Sequence, residues 1–387
     1  MRTVSAIKNI NSTLIVYGFN MVLQFIIRFV LLYYLSIEYL GLNGLFDNIL
    51  TVLSLTELGI GPAIIFSLYA PLANHDLETA KSIMRIFKKA YIYIGTLILF
   101  LGLCISPFVQ HLIKVPPNIA YLNIFFLLFV IDTGISYFYS YKKCLLIADQ
   151  KQYVANYYRG ITQLIGSLFQ ITLVILTHSF WVYIILRICM TFSENFLIAR
   201  KADHLYSFLN EKNIRPLNKD IYQSIIRNIK ALILHKIGGV TVFGTSNIIL
   251  SKFVGLSAVA LYTNYYLIIN GIDKLSDQVF NALKASVGNL NESHDDAHKL
   301  VIFKRLEFMT AYLACFICSN LYLLLNPFIT IWLGSSYRFD ESIVLWMVIN
   351  FYLMFMRKGV LVFKDAMGLF WQNRYMSLIE ALINLGS

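Results

Sequence analysis

TLIVYGFNMVLQFIIRFVLLYYL, residues Thr13–Leu35, decides the fold class. The stretch carries one charge, Arg28, and closes on Tyr33 and Tyr34. A run of about 20 mostly apolar residues crosses a bilayer as a helix. Paired tyrosines at its end suit the membrane–water interface. The run is too long for a signal peptide and lacks a small-residue cleavage site, so it reads as a permanent span. The rest of the 387 residues repeats this pattern. The chain is 58% hydrophobic and 14% charged, with a mean hydropathy of +0.66. A soluble domain carries roughly 25% charged residues. A water-soluble enzyme of this size cannot hide so much apolar surface. Disorder and a disulfide-stapled secreted fold are excluded on the same grounds.

Read outward from Thr13, the sequence predicts an all-α polytopic membrane protein with about ten complete spans. They lie near Thr13–Leu35, Leu42–Ser67, Ala90–Val109, Ile119–Tyr139, Ile161–Leu176, Trp181–Ile198, Ala231–Leu250, Leu256–Ile272, Met309–Leu333 and Ser342–Phe363. The eighth is polar in places and is expected to continue as a helix beyond the membrane. An eleventh begins near Tyr375 and is still short at Ser387, so a longer parent chain is expected.

The net charge of +11 is explained by where the cations fall. Of 32 Lys and Arg residues, 26 lie on segments that would share the side of the N-terminus. Lys114, Lys252 and Arg338 lie on the other side, and Arg28, Arg187 and Lys236 fall within spans. This asymmetry predicts a cytoplasmic N-terminus. It also removes the case for a nucleic-acid partner, since the basic loops are what orientation requires. The loops on the outer side are short and offer no room for an external active site. No G-x-x-x-x-G-K-[ST] phosphate loop is present, which argues against an ATP-driven pump. The expectation is a transporter, not an enzyme, with no cofactor. Cys315 and Cys318 have redox or metal spacing but sit in an apolar span, where small residues pack between helices. His294 and His298, with Asp295 and Asp296 between them, read as a solvated loop in preference to a metal site.

The longest connection divides the chain into an N-terminal lobe of six spans (1–198), a cytoplasmic linker (199–230) and a C-terminal lobe (231–387). Residues 218–230 read as an amphipathic surface helix. The second span opens with Gly41-Leu42-Asn43-Gly44-Leu45-Phe46-Asp47-Asn48 and the eighth with Gly255-Leu256-Ser257-Ala258-Val259-Ala260-Leu261-Tyr262-Thr263-Asn264, so that, allowing two extra residues, Gly44–Asn48 matches Ala260–Asn264. Both would enter the membrane from the outside. Six spans per half make the halves parallel repeats. The second lobe is incomplete, with four spans and the start of a fifth.

Charges inside a bilayer are costly and mark function or pairing. Tyr17, Asn20, Gln24 and Arg28 share one helical face. So do Asn43, Asp47, Thr51 and Ser54, with Glu57 one turn on. Asp132 and Ser136, Gln163 and Gln170, and Arg187 and Glu194 continue the pattern, as expected of helices around a wet cavity. At 1.5 Å per residue, Arg28 lies roughly 6 Å outward of its span's midpoint and Arg187 roughly 4 Å. Two guanidiniums at similar depth suit an anion, since arginine binds phosphate oxygens bidentately. The competing reading is an internal ion pair, for example Arg28 with Asp47. Arg28, Gln24, Asn20, Arg187 and Lys236 are therefore the candidate substrate-binding residues. Asp47, Glu57 and Asp132 are the candidates for coupling to an ion, or else for pairing with a cation.

At this point the sequence resembles a known family. Glu57-Leu58-Gly59-Ile60-Gly61-Pro62-Ala63-Ile64 and Ser67-Leu68-Tyr69-Ala70-Pro71-Leu72-Ala73 look like the end of the second helix of Wzx-type polysaccharide flippases. Leu261-Tyr262-Thr263-Asn264-Tyr265, Pro327-Phe328-Ile329-Thr330-Ile331-Trp332-Leu333-Gly334 and Ala366-Met367-Gly368-Leu369-Phe370-Trp371 extend the resemblance over nearly the whole chain. It is closest to Gram-positive capsule and exopolysaccharide members of the multidrug/oligosaccharidyl-lipid/polysaccharide exporter superfamily. The resemblance implies two six-helix lobes around a central cavity. It implies transfer of an undecaprenyl-diphosphate-linked oligosaccharide from the inner to the outer leaflet of a bacterial cell membrane. Membrane lipid, a polysaccharide polymerase and a chain-length regulator are the further partners expected. Family members continue through a twelfth span or more. A cation-coupled drug or metabolite exporter of the same superfold is the alternative, and a polymerase or membrane glycosyltransferase a more distant one.

Overall fold

Every regular element among the described residues is helical. The computed structural model describes residues 2–57, 60–115, 119–211, 216–223, 225–227, 229, 245–291 and 296–367. Most of the seventh expected span, the start of the eleventh, Lys236 and His294 with Asp295 lie outside these residues.

The longer α-helices among the described residues are labelled α1 to α11. They are α1 (Arg2–Tyr34), α2 (Ile37–Leu53), α3 (Ile60–Ala73), α4 (Leu77–Ile105), α5 (Leu122–Ala148) and α6 (Gln152–Thr177). They continue with α7 (Phe180–Leu205), α8 (Ser246–Phe253), α9 (Leu256–Asn291), α10 (Asp296–Leu333) and α11 (Glu341–Ala366). Among the described residues, seven stretches are long and apolar enough to cross a membrane: Asn11–Tyr34, Leu77–Leu112, Leu122–Ala148, Gln152–Thr177, Phe180–Leu205, Ala297–Leu333 and Glu341–Lys364. The protein is an all-α polytopic membrane protein.

Two of the ten expected spans differ in the structure. Leu42–Ser67 is not one helix. It divides into α2, a 3₁₀ turn at Ser54–Glu57, and α3. The sequence 59–62 explains the break. Gly61, at the start of α3, has no side chain to restrain the backbone. Pro62 offers no N–H to an upstream carbonyl, so it is accommodated only in the first turn of a new helix. The eighth is not among the seven stretches apolar enough to cross a membrane; it lies within α9, whose 36 residues run about 54 Å. That exceeds a hydrocarbon core of about 30 Å, so the helix extends past the apolar zone as expected. Asn264, Asn270, Asp273, Lys274, Ser276 and Asp277 hold its hydropathy below that of the other spans.

The described residues fall into two compact units, one up to Val259 and one from Ala260 onward. In the first, α5 packs against α4 and α7, and α1 runs along α6. Asn9 and Asn156 fix that second pairing. Asn9 Nδ2 donates to the Gln150 carbonyl, and Asn156 Nδ2 donates to Ser12 Oγ (3.0 Å) and Thr13 Oγ1 (2.9 Å). Asp76 caps α4 by accepting from the Thr79 N–H at 3.0 Å. This satisfies one of the helix's orphan donors. Phe46, Phe126 and Phe129 form an edge-to-face cluster at the centre of the unit.

Residues 219–223 and 225–227 are helical, and their apolar stripe is already occupied. Leu217, Ile221, Ile225 and Ile229 pack on the core that contains Phe87, Ile98, Leu145 and Ile198. Lys219, Tyr222, Gln223 and Arg227 face outward. In the second unit, Tyr265 is fully buried. Its hydroxyl donates to Asn326 Oδ1 and accepts from the Phe339 N–H at 3.0 Å, pinning the loop between α10 and α11.

Candidate functional site

The polar stripes of α2, α5 and α7 meet at Arg187. Its Nη2 donates to Asp47 Oδ1 at 2.8 Å, its Nε to Asp132 Oδ2 at 2.9 Å, and its Nη1 to Asn43 Oδ1 at 3.1 Å. The guanidinium lies 4.3 Å from the Phe129 ring centre, within cation–π range. Tyr183, one turn earlier on α7, donates to Asn43 Oδ1 at 3.2 Å, and Gln170 Nε2 of α6 donates to the Tyr183 carbonyl at 2.9 Å. Helical periodicity makes this meeting local within each helix: Asn43 and Asp47 are one turn apart, as are Tyr183 and Arg187.

Arg28 of α1 joins the same cluster. It is half-buried and interacts electrostatically with Asp47 and Tyr183. Asp132 is 7% exposed, while Asp47 is more open at 42%. The two arginines and two aspartates carry no net charge together. Of the residues expected to bind substrate, Arg28 and Arg187 thus converge, and they converge with two of the residues expected to couple an ion. Asn20 is half-buried on α1 with its Oδ1 buried and without a hydrogen-bond partner among the described residues, and Gln24 is exposed one turn further along.

Glu57 stands apart at the break between α2 and α3. Its carboxylate accepts from Tyr91 (2.8 Å) and Tyr137 (3.5 Å). Gly61 leaves room for that contact: a Cβ there would meet the Tyr91 hydroxyl at 2.7 Å and Glu57 Oε1 at 2.8 Å. A third node lies at the ends of α5 and α7, where Glu194 receives Lys143 (3.7 Å), Arg159 (4.0 Å) and Gln163 (3.4 Å).

Sequence reasoning missed the polar centre of the second unit. Lys358 of α11 is 10% exposed and binds Asp273 at 2.9 Å, with Asp277 also in contact. The signal was present in two places. Lys358 falls inside the tenth span, and Asp273 and Asp277 are one turn apart on a helix that is polar for a span. A groove of about 290 Å³ opens beside it, lined by Tyr262, Tyr266, Asp273, Trp346 and Asn350 among others. Tyr262 and Tyr266 stack, and Trp346 is 70% exposed. Lys358→Met is expected to lower stability by about 3 kcal/mol by stranding two carboxylates. The check is thermal unfolding of the purified protein in detergent; an unchanged melting temperature would refute the pairing.

No protein-family profile matches the chain, and no curated protein matches it. Solved structures do. The chain is similar to the inward-facing conformation of a multidrug resistance MATE family transporter of the MOP superfamily, with TM-score 0.64 and 13% identity over 93% of this chain and 84% of that one. It is also similar to an outward-facing conformation of such a transporter, with TM-score 0.52 and 12% identity over 95% and 84%. At this identity the likeness shows the fold alone: the chain shares the helical fold of these structures.

Proposed function

We propose that the protein is a flippase that carries an undecaprenyl-diphosphate-linked oligosaccharide across a bacterial cell membrane by alternating access. The observation that carries this reading is the neutralisation of the membrane carboxylates. Asp47 and Asp132 hold Arg187, and Asp273 and Asp277 hold Lys358. A cationic drug would have to displace a built-in cation from either pair. A polar, uncharged sugar chain has no such competitor, and within the second unit it can use the carboxamide of Asn350 and the faces of Tyr262, Tyr266 and Trp346. The motifs around Glu57–Ala73 and Pro327–Gly334, which resemble Wzx-type flippases, support the same substrate. Alternating access is supported by the similarity to transporter structures in inward- and outward-facing conformations.

In this reading Arg28, Gln24 and Asn20 form the substrate face of α1. Arg187 is tied to the aspartates and holds α2, α5 and α7 in register. The N-terminus lies in the cytoplasm, and residues 1–198 and 231–387 are the two lobes. The second reading, a cation-coupled exporter, is favoured by the similar structures, which are of multidrug resistance transporters.

Expression of the full-length protein in a flippase-deficient, capsule-negative strain tests the first reading. Restored surface polysaccharide is expected, with Arg28→Ala reducing it about tenfold, the order of one lost charge-assisted contact. Failure to restore polysaccharide, together with raised tolerance to cationic dyes, would establish the exporter instead.

A further inference from the structure

The exposed face of α4 changes character along its length. Arg85, Lys88 and Lys89 lie on it at helical spacings of three and four, and all three are exposed. Ile92 and Tyr93 follow, then Phe100 and Leu103, at 42%, 69%, 61% and 59% exposure. In a membrane protein such exposed apolar residues face lipid tails. The cations sit where that apolar stripe ends, which is the headgroup layer.

Behind them is a cavity of about 550 Å³. Its walls include Lys81, Arg85, Lys88, Lys89 and Lys142, against only Asp203 and Glu211 among the acids. The two inner lysines are occupied. Lys81, 4% exposed, holds Glu78 (2.7 Å) and Glu211 (2.8 Å), and Lys142 holds Asp203 (2.6 Å). Those pairs consume both acids of the cavity. Arg85, Lys88 and Lys89 make no ion pair or hydrogen bond with the described residues. The cavity thus presents three unmatched positive charges at its mouth. Inside, it presents hydrogen-bonding groups (Tyr141, Asp203, Glu211), and the apolar stripe adjoins it. A ligand complementary to all three is an amphiphile with an anionic, multiply charged head and a long apolar tail.

We propose that this cavity is a binding site for the phosphorylated headgroup of a membrane lipid, reached sideways from the leaflet on the basic side of the protein. It lies wholly within the first unit and outside the Arg187 cluster, and it does not depend on what the protein transports. Under the flippase reading it would be the place where a lipid diphosphate docks before transfer.

The test uses the purified full chain in nanodiscs of neutral phosphatidylcholine, with farnesyl diphosphate as the probe. Wild type is expected to bind the probe with an affinity that falls as salt rises. It should bind farnesol, which lacks the phosphates, far more weakly. Each near-membrane cation contributes about a factor of five. The triple variant Arg85→Gln, Lys88→Gln, Lys89→Gln should therefore weaken binding about 100-fold. The comparison triple Lys274→Gln, Lys304→Gln, Arg305→Gln removes the same charge from other exposed positions and should leave binding nearly intact. Equal loss in both triples would show general surface attraction and overturn the site. Equal binding of farnesol and farnesyl diphosphate would overturn the headgroup assignment. Inorganic diphosphate binding as tightly as the lipid would assign a soluble phosphate instead and overturn the lipid. All three substituted residues are exposed, so folding should be preserved. An unchanged melting temperature of the triple variant confirms that a loss is a loss of binding. If this site holds but capsule export is not restored, the flippase reading fails while the lipid site stands.

Discussion

Arg187→Met is expected to destabilise the protein by about 3 kcal/mol and to abolish transport. The change leaves Asp132, 7% exposed, without the guanidinium that pairs with it, and removes the direct ion pair of Asp47. Breaking a buried pair costs far more than the pair contributes, because the stranded charge keeps its full desolvation penalty. The prediction therefore has a second half. Arg187→Met combined with Asp47→Asn and Asp132→Asn should regain most of the stability, since no charge is stranded. It should not regain transport if the charges change partners as the protein changes conformation. Thermal unfolding in detergent, with capsule restoration in parallel, reads both. A single variant as stable as wild type would refute the network. A triple variant with full transport would reduce it to a structural brace.

The second large effect is expected at Gly41. A Cβ at this position would stand 2.3 Å from the Leu256 carbonyl oxygen, 2.9 Å from its carbon and 3.0 Å from the Leu256 Cβ. Two backbones touch here, where α2 begins and α9 begins. Small residues permit such close approach of membrane helices. No side chain can swing aside, so Gly41→Val must separate the helices. A cost of about 3 kcal/mol, the upper end for overpacking, is expected. The measurement is the yield of monodisperse protein and its melting temperature. Gly18 of α1 is the control. A Cβ there meets nothing within 4 Å, so Gly18→Ala should stabilise α1 by about 1 kcal/mol through helix propensity alone. Equal behaviour of the two variants would show that the Gly41 contact does not exist in the folded protein.

Gly41 also illustrates what a sequence can and cannot say. The stretch Gly41-Leu42 and its counterpart Gly255-Leu256 stood out as the openings of two similar helices. Nothing in either segment indicated that the first packs on the second. Likewise, the polar stripes on α1, α2, α5 and α7 were legible from spacing, because the period of 3.6 residues is a local property. Which arginine met which aspartate was not. The sequence offered Arg28 with Asp47 as one pairing. The structure gives Arg187 the direct bonds to Asp47 and Asp132 and adds Arg28 to the same cluster. Lys358 was counted with the cations on the N-terminal side; that it pairs with Asp273 and Asp277 was not legible.

The sequence by itself determined the membrane class, the helical composition and most spans. These follow from the free energy of placing each residue in hydrocarbon and from the need to satisfy every backbone group within its own helix. It also marked the polar faces, since a charged side chain in a span is conspicuous wherever the helix goes. Only the tertiary structure decided how the second span divides at Glu57, which charges cancel, and that Arg85, Lys88 and Lys89 front a cavity whose inner lysines are already matched. Those outcomes depend on distances between helices far apart in the chain. Electrostatic energy falls with separation in space, and no local pattern encodes it.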